Sequence, residues 1–288
     1  MPAISINGSR LNFGATGKGS TVIALHSSAS TGAQWKSLAE HLANRHCVFT
    51  PDLPGYGGSD AWPGGRSGSL ASEADFIFEM IEAWEEPVHL VGHSFGGAVA
   101  LQIALAHPEW VRSLTLIEPT VFHLLRDGNA ADQRLHATMQ ALSGVVNAAA
   151  ALGNPAAGMQ HFIDFWNGED AWLRTHPRLR AYLVSQIGQV INNFAAANSE
   201  DWLLQECARL NCPTMALMGL DSPVPAQRTT EMLAEAIPGA RLHMIPGAGH
   251  MLPLTDPHIV DPLISGHIRA AEADEPTWRF IRPLQHAA

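Results

Sequence analysis

The stretch "LVGHSFGGAVAL" at residues 90–101 limits this chain more than any other. A short β-branched and leucine run ends at Gly92, and an alanine-rich apolar run begins at Phe95, so a buried strand must turn into a buried helix within a few residues. Glycines flank the turn as Gly92-His93-Ser94-Phe95-Gly96. So sharp a reversal brings backbone close to backbone two residues either side of Ser94, where a Cβ would collide. The turn lifts the Ser94 hydroxyl above the carboxyl ends of the strands and aims the first amides of the helix at the same point.

Similar short apolar runs alternate with helical patterns along the chain, which predicts an α/β fold with a mostly parallel sheet flanked by helices. "AISING" and "RLNFGAT" are expected as an antiparallel pair at one edge. Buried strands are expected at 20–26, 88–94, 111–119 and 213–219, with further strands in "HCVFTPDL" and "ARLHMIP". In "SLASEADFIFEMIEAW", Leu70, Ala74, Ile77, Ile81 and Trp84 recur at helical spacing behind Ser69 as N-cap. The alternation stops at about residue 121 and resumes at 207. The insertion, 121–206, lacks β-branched runs and is rich in Ala, Gln, His and aromatics, so a helical lid is expected there. The core is then 1–120 and 207–271, and the tail 272–288 has no clear period.

Composition excludes several classes. With 17 Lys+Arg against 27 Asp+Glu, the net charge of −10 argues against a nucleic-acid or anionic-membrane partner. At 15% charged and 46% hydrophobic residues, the chain has the makings of a packed core. No apolar stretch approaches the ~18 residues of a membrane span. "MPAISINGSRLNFGATG" has no basic region followed by an apolar run, so no secretory leader is expected. The three cysteines, Cys47, Cys207 and Cys212, match no metal framework and are expected as free thiols. A cytoplasmic protein without metal or organic cofactor, acting on a small molecule, is the expectation.

The strand–turn–helix context of Gly-x-Ser-x-Gly, with "DLPGYGGSD" (52–60), "LHSSAS" (25–30) and "GAGHMLPLTDP" (247–257), resembles the α/β-hydrolase superfamily from residue 1 to about 270, the insertion falling at the family's cap position. The resemblance implies an elbow nucleophile at Ser94 and a chain order of nucleophile, acid, then histidine. A serine hydroxyl needs a base, and among fifteen histidines the one in the implied position is His250, in a Gly-rich loop after the last expected strand. His93 and His243 are expected to pack or face solvent, and His26 to brace the turn it sits in.

Two carboxylates compete for the acid. Asp221 in "MGLDSPVP" resembles the family's usual acid loop and is preferred, although its turn after Gly219 is one residue shorter than the common form. Glu118 in "LIEP", at the end of the preceding core strand, is the alternative, because some members place their acid there. The implied oxyanion donors are the amides of Phe95 and Ser28, with Ser27 where members commonly carry glycine; the hydroxyls of Ser27, Ser28 and Ser30 are candidates to touch substrate, Ser27 as part of the pocket. "MQHFIDFWNGEDAW" gathers Phe162, Phe165, Trp166 and Trp172, an aromatic set expected mainly to fill the lid's own core, with Phe162 and Trp166 as candidates for the pocket wall. Arg174, Arg178 and Arg180 are expected as a solvated basic face, and His123, Arg126 and His161 are weaker pocket candidates.

These features imply a serine hydrolase of small carboxylic esters or lactones working through an acyl-enzyme on Ser94. C–C bond hydrolysis of a diketone-type acid by the same triad is one alternative. A non-catalytic ligand receptor on the same fold is another. Dehalogenase and epoxide-hydrolase chemistry would need a carboxylate at the elbow in place of Ser94.

Overall fold

The computed structural model describes residues 2–62 and 69–273. Most of the tail left unassigned from the sequence, 274–288, lies outside the described residues. Eight strands form one sheet: β1 (Ala3–Ile6), β2 (Ser9–Gly17), β3 (Ser20–Leu25), β4 (His46–Pro51), β5 (Val88–His93), β6 (Val111–Ile117), β7 (Thr214–Gly219) and β8 (Arg241–Ile245). Their order across the sheet is β1-β2-β4-β3-β5-β6-β7-β8. The first two strands pair antiparallel, β2 meets β4 antiparallel, and every later pairing is parallel. This is the mostly parallel sheet expected from the alternation, in the form that the resemblance to α/β hydrolases implies.

Parallel pairing requires a crossover between neighbours, and the crossovers lay helices on both faces. The sheet's side chains therefore divide by residue parity. On β3, Ile23 and Leu25 face α2 (Leu70–Glu82) and α3 (Phe95–Ala106), while Val22 and Ala24 face α1 (Lys36–Leu42) and α11 (Pro257–Ala273). Every residue of β5 and β7 is buried, as befits strands covered on both sides. Helix α3 is buried on nearly its whole circumference, which explains why its sequence is small and apolar with no polar stripe.

Between β6 and β7 the chain is helical. After a short turn at Phe122–Leu125 come α4 (Ala130–Ala151), α5 (Pro155–Asn167), α6 (Ala171–Arg174), α7 (Pro177–Ser185) and α8 (Ile187–Asn198). Helix α4 starts with a capping box in which Asn129 and Asp132 satisfy each other's backbone amides. Arg228 on α9 (Val224–Ala236) ties Asp132 back to the core at 2.8 Å. The insertion's apolar faces, among them Phe162, Trp166, Val190 and Phe194, join the core beneath it. After β8, a short helix α10 (Leu252–Thr255) leads into α11. Cys47, Cys207 and Cys212 are free.

Candidate active site

The site lies at the carboxyl ends of β3, β5, β6 and β8. At the end of β5, Ser94 sits at φ 54°, ψ −117°, in the positive-φ region that side chains rarely occupy. Three backbone bonds hold it there. The Ser94 amide donates to Ile117 O at 2.9 Å, and its carbonyl accepts from Thr120 N at 3.2 Å and Ala98 N at 3.1 Å. The flanking glycines are required by contact. A Cβ on Gly92 would strike the backbone of Gly96 and Gly97, and one on Gly96 would strike the carbonyls of Leu25 and His26.

The Ser94 hydroxyl lies 3.0 Å from His250 Nε2, and His250 Nδ1 lies 2.6 Å from Glu118 Oε2. A carboxylate only accepts, so Nδ1 carries the proton and Nε2 offers its lone pair to Ser94. Glu118 is fully buried, and its other oxygen accepts from Gly219 N at 2.7 Å and Ser222 Oγ at 2.6 Å. A buried carboxylate is tolerable only when paired and hydrogen-bonded in this way. Glu118 itself adopts φ 43°, directly after β6 ends.

Asp221, preferred as the acid from the sequence, is not the partner of His250. Its side chain is exposed and makes no hydrogen bond among the described residues. Its backbone amide instead donates to Ala248 O at 2.9 Å, fastening the turn after β7 to the loop that carries His250. In that short turn the next residue, Ser222, points inward and meets Glu118. The correction has a physical origin: β6 and β7 are adjacent strands, and the longer glutamate side chain reaches from one to the histidine above both.

Opposite the elbow, Ser28 and Phe95 border the same small cavity as Ser94. Neither amide donates to another group among the described residues. For Phe95 this follows from its place in the first turn of α3, where amides lack an intrahelical acceptor. Ser27, at the usual glycine position, fits without strain. Its amide and hydroxyl both donate to Gln34 Oε1, at 3.2 and 3.0 Å, and the positive φ of this loop falls at Ala29 (59°). His26 does brace the turn: Nδ1 donates to Ser27 O at 2.8 Å and Nε2 accepts from Leu53 N at 2.9 Å.

Three contributors escaped sequence reasoning. Gln34 donates to His93 Nδ1 at 3.1 Å, and His93 Nε2 donates to the carbonyl of His250 at 2.8 Å. A buried line thus runs from the Ser27 loop through the elbow's own histidine to the backbone of His250. Asn193 on α8 donates to Ser28 Oγ at 2.8 Å and Tyr56 Oη at 2.9 Å, joining the insertion to the Ser28 loop. These partners are 59 to 165 residues apart, and no local pattern announces them. The only available signal was His93 itself, set inside the elbow, where a side chain can hardly avoid the loops above it.

Phe162 and Trp166 border the cavity at Ser94, and the Trp166 ring stacks on His250 with centroids 4.1 Å apart. Phe165 and Trp172 pack within the insertion, as expected for most of that aromatic set. Arg174 borders a second, larger space beside Ser94, its Nη1 donating to Glu169 O at 2.9 Å. Arg180 lies over Trp172, Arg178 and His161 face solvent, Arg126 pairs with Asp127, and His123 packs on Trp202. Among the described residues, no group of three or more His, Cys, Asp or Glu is placed to hold a metal ion, and no helix is long and apolar enough to cross a membrane.

Burial lowers His26 and His123 from the ordinary 6.5 to about 4, and burial with His250 nearby pushes His93 well below 6.5. The unfolded chain takes up these protons near pH 6.5, whereas the folded chain resists them until about pH 4 for His26 and His123. The stability they contribute is therefore fully present above 6.5 and is lost as the pH falls toward 4. Urea midpoints should drop steadily over that window. A midpoint constant from pH 6.5 to 4.5 would contradict the burial of neutral imidazoles.

Comparison with known proteins agrees with this architecture. A family model for the alpha/beta hydrolase fold matches residues 20–257. The pimeloyl-[acyl-carrier protein] methyl ester esterase of Aeromonas hydrophila is 31% identical over 242 residues, covering 81% of this chain and 89% of that protein. Its namesake from Chromobacterium violaceum is 29% identical over 246 residues, covering 81% and 88%. Among solved structures, a thermophilic esterase from Thermogutta terrifontis superposes with a TM-score of 0.75 at 23% identity, covering 94% of this chain and 99% of that one, a likeness of fold. With the family model spanning most of its length and the elbow built as the fold requires, the chain belongs to the α/β-hydrolase family of enzymes.

Proposed function

We propose that this protein hydrolyses carboxylic esters through an acyl-enzyme on Ser94, with His250 as base and acid and Glu118 as the acid of the triad. The observation that carries the reading is the unbroken hydrogen-bonded line from Ser94 Oγ through His250 to Glu118, at 3.0 and 2.6 Å, beside two amides with no acceptor among the described residues. Relatives at about a third identity that are named as ester esterases support the bond class. Lactones present the same acyl–oxygen bond and fall under the same chemistry.

His250 Nε2 takes the Ser94 proton as Oγ attacks the ester carbonyl. The carbonyl oxygen becomes an oxyanion between the Phe95 and Ser28 amides, and each such donor is worth about 2.7–4 kcal/mol of barrier. Glu118 holds the imidazole in the tautomer that can accept this proton and stabilises the imidazolium once formed. The C–O bond to the alcohol breaks, and Nε2 returns its proton to the departing alkoxide. Water, deprotonated by the same nitrogen, then releases the acid and restores Ser94. The insertion 121–206 acts as a cap, with Trp166 lying on the working imidazole. Stacking there limits water around His250.

The test is release of p-nitrophenolate from p-nitrophenyl acetate by the wild-type protein. Turnover that vanishes in Ser94→Ala is expected, and release unchanged in that variant would defeat the reading.

A further inference from the structure

Two spaces of very different size meet at Ser94. One has a volume of about 20 Å³ and is lined by Thr120, Phe122, Val190, Phe194 and Ala197. The other is about 540 Å³ and extends past Ile163, Leu179, Leu183 and Leu254. Ser28, Phe162 and Trp166 border both and stand as the partition. His250 borders the large space and not the small one.

That asymmetry decides which half of an ester goes where. The group that leaves must lie beside His250 Nε2, because that nitrogen protonates it. The water that follows is activated by the same nitrogen and enters through the space the alcohol vacates. The acyl group remains bonded to Ser94 Oγ throughout and must occupy the other side. The two volumes are directly comparable, and the small space also receives the carbonyl oxygen between the Phe95 and Ser28 amides, so the room left there suits a short acyl chain. The large space has room for a bulky alcohol, with aliphatic side chains to bury it.

Resting on the ester reading above, we infer that the substrates are short-chain acyl esters of large, mainly apolar alcohols. Chemically, Ser94 Oγ bonds to the carbonyl carbon of the short acyl group, the bond from that carbon to the alkoxy oxygen breaks, and the alcohol leaves with the proton from His250. Water then releases the short-chain acid.

Hexyl acetate and methyl heptanoate test this directly. They are isomers, equal in atoms and nearly equal in hydrophobicity, and differ only in which side of the ester carries the chain. The expected result is a kcat/KM for hexyl acetate at least about tenfold above that for methyl heptanoate, since even one misplaced methylene costs about tenfold or more. Phe194→Ala, which removes a wall of the small space, should shrink that ratio by raising methyl heptanoate relative to its isomer. The ratio is read within one protein, so a loss of folded protein cancels. Equal rates, a preference for methyl heptanoate, or a ratio unmoved by Phe194→Ala would overturn the partition. Cleavage of p-nitrophenyl acetate without cleavage of hexyl acetate would overturn the partition alone. No turnover of any of the three esters would overturn the ester reading and the partition with it.

Discussion

Glu118→Gln is expected to lower kcat by about 10⁴-fold, while Asp221→Asn leaves it within about twofold. The two carboxylates end neighbouring strands, yet only Glu118 touches His250, at 2.6 Å. A glutamine there keeps the shape and can still accept from Gly219 N and Ser222 Oγ through its carbonyl oxygen. Its amide must then face Nδ1 as a donor. The imidazole answers by moving its proton to Nε2, which leaves no lone pair for the Ser94 hydroxyl. The loss is one of tautomer, about 5.5 kcal/mol of barrier, with the fold intact. Asp221 has an exposed side chain whose removal disturbs no hydrogen bond among the described residues. Steady-state kinetics on both variants, with melting curves, checks the pair. A severe loss in Asp221→Asn beside a mild one in Glu118→Gln would reverse the assignment.

Ser94→Ala carries the largest effect, about 10⁶-fold in kcat. Among the described residues the hydroxyl has one hydrogen bond, to His250 at 3.0 Å, so its removal costs little stability. The backbone bonds that hold the elbow run through the Ser94 amide and carbonyl and survive the change. What remains, roughly 10³-fold over the rate in water, is expected from the two free amides and from binding alone. Melting of the variant within a few degrees of wild type, with activity absent, is the result that separates chemistry from folding. Activity retained above about 1% would place the nucleophile elsewhere.

Most of the architecture was legible along the chain, because short apolar runs bounded by turn residues alternate with helical patterns. At the elbow, Gly92 answers to backbone within five residues, whereas the carbonyls that Gly96 must clear belong to Leu25 and His26, far away in the chain. His250 was singled out by the resemblance, which places the histidine in a Gly-rich loop after the last core strand. The acid was harder. Glu118 and Asp221 each follow a strand by one or two residues, and local sequence favours the aspartate. Their distance from His250 depends on the lateral pairing of β6 with β7 and on the positive φ of Glu118, both set by residues far away in the chain. Ser27 was legible as a departure, but its accommodation by Gln34 was not, since that contact needs the short helical turn at Gly32–Trp35 to pack against the loop. The division of the cleft into unequal halves was wholly illegible, because it is made by α5 and α8 of the insertion meeting the elbow.

Covalent trapping tests the central claim most directly. After reaction with an alkyl fluorophosphonate and proteolysis, mass spectrometry should find one phosphonylated site, Ser94, with no adduct in Ser94→Ala and slow labelling in His250→Ala. An adduct on Ser27, Ser28 or Ser30 in the neighbouring loop, or none on the folded wild-type protein, would contradict the account.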